Sequence, residues 1–248
     1  MTSNNDVSLG DMVITNELLY IRNSANDDWL VFEKSEMVYD AVGLGYLTVK
    51  SSTGKIWLDR NLGATRAART PTDHLAYGHL FQWGRSYDGH QKINWTGANS
   101  GTPATRHTAV KADTPTHDLF IGGDSGIKDW RTTESNTLWD DGTIKGVNDP
   151  CPMGFRVPTR AELEEEMNSW SSGDSNGAFG SALKLPMAGN RQNSDASVSL
   201  GGTWGLYWSS TAVSGGGSPN LSFSTNSNSA AFYEVHRVFG SSVRCIKE

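Results

Sequence analysis

The sequence predicts an α+β fold in which small antiparallel sheets and two helices are joined by long irregular loops. Its 248 residues include 27 Gly and 9 Trp, but only 36% are hydrophobic and 19% are charged. This composition is typical of turn-rich structure held by large aromatic side chains, and it excludes a coiled coil or a collagen-like chain. The order of the elements, with hairpins first and closing strands last, indicates the same class.

The N-terminal part predicts two β-hairpins. Residues 18–21 and 29–32 are apolar strands around a polar turn, and residues 46–49 and 55–58 repeat this arrangement. Because nothing after Trp57 repeats the pattern of the first hairpin, residues 1–43 are predicted as an N-terminal β extension for attachment or oligomerisation. Residues 44–248 are then the main domain.

The first helix is predicted over residues 72–83. Ala76, Leu80 and Trp83 recur at helical spacing, and Gly84 follows where a helix would stop. After it, residues 86–150 predict a long irregular stretch with tryptophan anchors at Trp95, Trp130 and Trp139.

The second helix is predicted to begin after Thr159. Thr159 and Glu162 have the spacing of a capping box, in which each side chain bonds the other residue's amide. The buried face is predicted to contain Leu163, Met167 and Trp170. Carboxylates 164–166 are predicted to face solvent, not to bind a metal.

The last third of the chain predicts short strands separated by Gly and Ser. The final strand is expected to pair beside an early one. The predicted strands are Leu183–Met187, Leu206–Trp208, Leu221–Phe223 and Ser242–Ile246.

Charge and hydropathy limit the partners. The net charge of −6 with a pI near 5.5 predicts no nucleic-acid binding, because no basic face is available for phosphates. No run of 18 apolar residues occurs, which predicts no membrane span, and residues 1–6 lack the pattern of a signal peptide.

The cysteines and histidines predict no catalytic, metal or cofactor site. Cys151 and Cys245 are 94 positions apart, so they form neither a zinc knuckle nor a redox C-x-x-C pair. The two cysteines either form one disulfide or remain two buried thiols, and the sequence does not decide between these states. The apolar neighbours of Cys245 favour a structural role. His74 and His79 are five apart and do not share a helical face. Calcium binding near residues 122–124 or 139–142 also stays open.

Residues 212–237 are the main candidate for recognition. They are rich in Ser, Asn, Gly and Ala, with Phe223, Phe232 and Tyr233 between them. Polar loops with scattered aromatics on a rigid support are typical of adaptable binding surfaces. The alternative is a solvated surface without a special function.

Several motifs in order resemble those of the Fibrobacter succinogenes major paralogous domain family. This resemblance covers about residues 44–248 and implies a C-type lectin fold similar to that of formylglycine-generating enzymes and of variable proteins of diversity-generating retroelements. The motifs are Lys55–Ala64, Tyr77–Gly78, Gln82–Arg85, Asp88–Gly89, Asn148–Pro152, Gly154–Thr159, Leu183–Gly189, Tyr207–Thr211 and Ser242–Cys245.

The resemblance also implies a disulfide and a binding face. Some relatives carry an extra cysteine pair where this chain has Ala68 and Ala76, which implies that Cys151 pairs with Cys245. In the lectin fold, loops before the last strand form the binding face. The residues that the analogy places on this one exposed surface are Asn190, Gln192, Asn193, Trp204, Ser214, Asn220, Ser222, Ser224, Asn226, Asn228, Ala230, Phe232, Tyr233, Glu234 and His236.

The function implied is non-enzymatic. The resemblance suggests a retroelement variable protein on a virion or cell surface, which binds a protein or glycan receptor on a host or target cell. A homo-oligomer stays open. One alternative is a structural or adhesive module without hypervariation. Another is a formylglycine-type oxidase, in which two active-site cysteines act with copper. The Glu-Pro-Asn signature of calcium-dependent sugar binding is absent, since residues 218–220 are Ser-Pro-Asn.

Overall fold

The computed structural model describes residues 9–15, 18–23, 28–33, 37–123, 126–139, 145–226 and 229–248. The chain divides into two compact units, Met1–Met37 and Val38–Glu248. The second unit therefore includes residues 38–43, which the sequence analysis assigns to the N-terminal extension.

The described residues of the first unit form an antiparallel sheet with the order β1-β2-β3. β2 and β3 are the predicted hairpin, with Leu18 opposite Glu33 and Asn23 opposite Asp28. Turn residues 24–27 lie outside the described residues. The strands are β1 (Leu9–Thr15), β2 (Leu18–Asn23) and β3 (Asp28–Glu33).

The second unit is of the α+β class, with small sheets and two short helices in its described residues. Among the named strands of the described residues, all pairs in this unit are antiparallel except β11 with β12. The strands are β4 (Val38–Tyr39), β5 (Gly45–Tyr46), β6 (Thr48–Lys50), β7 (Ile56–Leu58), β8 (Phe81–Gln82), β9 (Ile93–Gly97), β10 (Ser100–Pro103), β11 (His107–Thr108), β12 (Phe120–Ile121), β13 (Phe155–Arg156), β14 (Asn190–Arg191), β15 (Val198–Ser199), β16 (Trp204–Trp208), β17 (Gly217–Ser224), β18 (Ala231–His236), β19 (Gly240–Ser241) and β20 (Ile246–Lys247).

Early and late strands of this unit meet in one sheet with the order β13-β20-β7-β6. β6 and β7 form the predicted second hairpin, with Val49 opposite Trp57. β20 pairs with β7 through Ile246 and Trp57, so the predicted position of the closing strand is confirmed. Of the predicted strand Ser242–Ile246, only Ile246 belongs to β20.

The predicted disulfide is present beside this sheet. Cys151 and Cys245 are bonded, with their Cα atoms 5.9 Å apart, and both are buried. Cys245 directly precedes β20 and Cys151 lies shortly before β13. The bond therefore closes a chain segment with a sequence separation of 94.

Helix α1 (Arg160–Asn168) begins where the sequence predicts. Thr159 Oγ1 accepts the Glu162 amide at 3.1 Å, and the Glu162 carboxylate accepts the Thr159 amide at 2.9 Å. This confirms the capping box. The side chains packed in one core cluster include the predicted Leu163, Met167 and Trp170.

The prediction that residues 164–166 face solvent is wrong for Glu166, which is fully buried. Glu166 is three residues after Leu163, so it falls on the same, inward face of the helix. Neither carboxylate oxygen has a hydrogen-bond partner among the described residues. Burial lowers the pKa of the buried Arg244 guanidinium, and the charge of Glu166 opposes that shift.

A second helix, α2 (Ser175–Gly180), was not predicted. The Asp174 carboxylate caps it by accepting the amides of Asn176 and Gly177 at 3.0 and 2.9 Å. No helix in the described part of the chain is long and apolar enough to cross a bilayer.

The helix predicted over residues 72–83 is wrong. The chain there forms a 3-10 turn, His74–Ala76, and then β8, which pairs with β19. Gly78 has a φ of +69°, and a Cβ at this position would lie 2.3 Å from the Leu62 carbonyl oxygen. The His79 amide donates to the same oxygen at 2.9 Å. These tertiary contacts override the helical spacing.

The strand predicted at Leu183–Met187 is also wrong, although its alternate apolar side chains are buried. Lys184 has a φ of +47°, which is outside the strand region. Pro186 has no amide proton, and the Met187 amide donates to the Pro71 carbonyl at 2.8 Å instead of a neighbouring strand.

Large rings and arginines fill the interior. The tryptophan anchors Trp130 and Trp139 are fully buried, as are Trp57, Trp83 and Trp208. Among the described residues, four arginines are also fully buried, and their guanidinium groups donate mainly to backbone carbonyls of irregular segments. These bonds fix backbone that no sheet holds. The arginines are Arg85, Arg191, Arg237 and Arg244.

Candidate functional site

Most residues of the predicted surface belong to one sheet with the order β16-β17-β18. β17 is the middle strand. Asn220 of β17 lies opposite Trp208 of β16 and opposite Tyr233 of β18. Directly opposite residues project from the same face, so this register shows which side chains share a face.

One face of the sheet packs on the core. Leu221 and Phe223 of β17 are fully buried there. The Tyr207 ring stacks on Phe223 with ring centroids 5.8 Å apart, and Trp170 meets Phe223 edge-on at 5.5 Å. These contacts hold the sheet over the two helices.

The opposite face has a stripe of small polar side chains along β17. Alternate residues of a strand point to opposite faces, so the polar residues all point away from Leu221 and Phe223. The stripe consists of Ser218, Asn220, Ser222 and Ser224. By register, larger side chains of the outer strands flank it, namely Trp204, Leu206, buried Trp208, Tyr233 and Val235. Glu234 and His236 alternate with Tyr233 and Val235, so their side chains point to the other face of the sheet.

An open groove of about 350 Å³ lies on this face. Four of its lining residues belong to the predicted set: Asn190, Asn220, Glu234 and His236. Four others were missed: Leu206, Val235, Phe239 and Ser241. Strand alternation could have revealed two of them, because Leu206 shares a face with Trp204 and Val235 shares one with Tyr233.

The prediction that these polar residues are exposed is wrong for β17. Asn220, Ser222 and Ser224 are only 0%, 4% and 2% exposed. They lie in the middle strand, where neighbouring strands and their larger side chains cover them. Asn190 and Asn193 are each 9% exposed, so they are also buried.

The exposed part of the predicted surface is on β18 and in nearby turns. Tyr233 is 56% exposed, and Glu234 is exposed beside it. We call Tyr233, Glu234 and the half-buried His236 the rim of the groove. Of the other predicted residues, Asn228 lies outside the described residues, Ser214 and Asn226 are exposed, and the half-buried ones are Gln192, Trp204, Ala230 and Phe232.

Some predicted residues do not line the groove. Phe232 is on the core-facing side of the sheet, where the Arg160 guanidinium lies 5.3 Å from its ring. Gln192 supports the lining instead, because its side-chain amide donates to Asn190 Oδ1 at 3.1 Å.

The Asn220 carboxamide has unused hydrogen-bonding capacity. Neither Oδ1 nor Nδ2 has a partner among the described residues, and both are shielded from solvent. Buried polar groups are normally paired, and an unpaired one costs about 1–3 kcal/mol. The fold therefore keeps an unfavourable group in the floor of the groove.

The rim strand is fixed by Arg237, which follows His236 directly. Its guanidinium lies 4.2 Å from the Trp83 ring and 3.4 Å from an Asp129 carboxylate oxygen. Burial lowers the pKa of Arg237, and Asp129 opposes that shift. Its backbone acceptors, at 2.9 to 3.2 Å, are the carbonyls of Ser135, Val213 and Gly217.

The groove offers hydrogen bonds and apolar contact. In the described residues, no group of three or more His, Cys, Asp or Glu side chains is placed to hold a metal ion. The calcium candidates at 122–124 and 139–142 include residues 124 and 140–142, which lie outside the described residues.

The site thus combines a buried polar floor, an apolar wall and an exposed rim on one sheet. These features come from the geometry of the chain alone. Comparisons with protein-family models, with curated proteins and with solved structures give no match.

Proposed function

We propose that the unit Val38–Glu248 is a non-enzymatic ligand-binding domain whose ligand occupies the groove on β16-β17-β18. The observation that carries this proposal is the convergence of Asn190, Asn220 and Ser241 in one groove beside apolar Leu206. Binding sites typically combine apolar walls with a few placed polar groups.

We also propose that this unit has a C-type lectin fold of the Fibrobacter succinogenes major paralogous domain type. The ordered motifs support this, and so do the pairing of β20 with β7 and the Cys151–Cys245 disulfide. In this proposal the chain is a retroelement variable protein that presents its rim to a protein or glycan receptor from a virion or cell surface.

The disulfide supports a non-enzymatic role over a formylglycine-type oxidase. Such an oxidase uses two reactive cysteines. Here the two cysteines of the sequence are bonded to each other and buried, so neither is a free thiolate.

A library randomised at the rim tests the proposed function. We expect clones that bind unrelated target proteins while their Tm stays within about 2 °C of the parent, because exposed substitutions change stability by under about 0.5 kcal/mol. Binding is measured by biolayer interferometry and Tm by calorimetry. A matched library at Leu221 and Phe223 should mostly unfold. The proposal is wrong if rim clones unfold as often as these, or if no rim clone binds any target.

A structural or adhesive role is a second candidate, because the N-terminal sheet is a compact unit of its own. If this unit assembles the protein, a chain beginning at Val38 should lose its oligomeric state in light scattering, while groove binding persists. If the number of chains per particle is the same with and without the deletion, this role is contradicted.

A further inference from the structure

We propose that the groove recognises a neutral, planar amide edge, in which a hydrogen-bond donor lies beside an acceptor, attached to an apolar body. A primary carboxamide is the simplest such group. This inference rests on the proposed function of the groove and specifies the chemistry of its ligand.

The unpaired Asn220 side chain selects this edge. Its Nδ2 donates and its Oδ1 accepts, and both atoms lack partners in the described part of the chain. A ligand with one donor and one acceptor side by side satisfies both atoms at once. A ligand with only acceptors, or with neither, leaves at least one buried atom unpaired.

Charge selects a neutral ligand over a carboxylate. The residues lining the groove include Glu234 but no lysine or arginine. An anion entering it would lose its hydration without a compensating guanidinium or ammonium group. A carboxamide has nearly the same shape as a carboxylate and carries no charge.

The apolar residues of the groove lining would contact the apolar body of the ligand. Leu206, Val235 and Phe239 line the groove, and the volume of about 350 Å³ accommodates a ring. Asn220 lies under the accessible surface, so the ligand reaches it when surface side chains rotate. Tyr233, which lies opposite Asn220 on the same face and is 56% exposed, is free to do this at low cost.

The first experiment uses the full chain and three probes of one shape. Benzamide has the donor–acceptor edge, acetophenone has a methyl group in place of the amide nitrogen, and benzoate adds a charge. We expect nitrogen-15 NMR titration to show benzamide shifting the Asn220 side-chain signals and binding about tenfold more tightly than either analogue. Equal affinity for benzamide and acetophenone overturns the inference.

A second arm distinguishes two sources of the amide. Blocked glutamine, N-acetylglutamine N-methylamide, presents the same carboxamide as a protein side chain, and blocked methionine is its matched control. Preference for blocked glutamine over blocked methionine supports a protein side chain as the source. Preference for benzamide alone supports a small molecule. Absence of any amide preference in both arms overturns the inference.

Two variants separate recognition from folding. Asn220→Leu removes the unpaired atoms, so we expect Tm to rise by about 2–4 °C and the tenfold preference for benzamide to disappear. Ser218→Ala removes another unpaired buried group from the same strand outside the groove lining. It should leave the preference unchanged. A lower Tm with the preference intact in Asn220→Leu contradicts the inference. If that variant does not fold, the probe comparison on the natural chain decides.

The two proposals fail separately. If the rim library yields binders but no probe shows an amide preference, the ligand chemistry is wrong and the binding function stands. If the library also yields no binder, the function itself is wrong.

Discussion

Arg237→Met is expected to destabilise the protein by about 3–5 kcal/mol and to abolish the proposed binding in the groove. Removing one partner of a buried ion pair leaves the other charge uncompensated, here the buried Asp129. It also leaves the carbonyls of Ser135 and Val213 without their donor. Guanidinium chloride unfolding, followed by tryptophan fluorescence, measures the loss.

Arg160→Met is the matched control for this prediction. The Arg160 side chain is 51% exposed, its ion pair with Glu164 is 3.9 Å long, and it lies over Phe232. Exposed pairs of this kind contribute under about 1 kcal/mol. If Arg237→Met lowers the free energy of unfolding no more than Arg160→Met does, the buried guanidinium does not hold the rim strand.

Removal of the disulfide, by Cys151→Ala with Cys245→Ala, is expected to destabilise the protein by about 4 kcal/mol. The bond constrains the unfolded chain over a separation of 94 residues, and loops of this length give the largest effects. The same unfolding measurement applies. Reduction of the natural chain with dithiothreitol should have the same effect and should leave the double variant unchanged. A complete reduction, verified by thiol titration, without a shift of the transition would refute this prediction.

The sequence predicted elements whose determinants are close in the chain. The cap of α1 needs only Thr159 and Glu162, so its start was correct. The hairpin of β6 and β7 likewise depends on neighbouring residues. The helix prediction for residues 72–83 was wrong because the decisive contacts of Gly78 and His79 are with Leu62, which lies outside that segment.

The sequence predicted only part of the groove, because contacts between residues distant in the chain decide the rest. Ser222 and Ser224 belong to a segment with the composition of a loop, and composition does not show that β16 and β18 enclose it as a middle strand. Burial of these residues is a tertiary effect. The polar stripe is nevertheless visible in the sequence, since Ser218 to Ser224 alternates polar and apolar residues.

Among the strands that the structure describes, β18 pairs with β17 alone, so it is the outer strand of its sheet. Outer strands carry free amides and carbonyls that recruit strands of other molecules, and charged side chains oppose such aggregation. Glu234 is the only carboxylate between Ala231 and His236. Replacement of exposed residues in this strand therefore changes colloidal solubility as well as local contacts, and a hydrophobic residue at Glu234 would favour self-association.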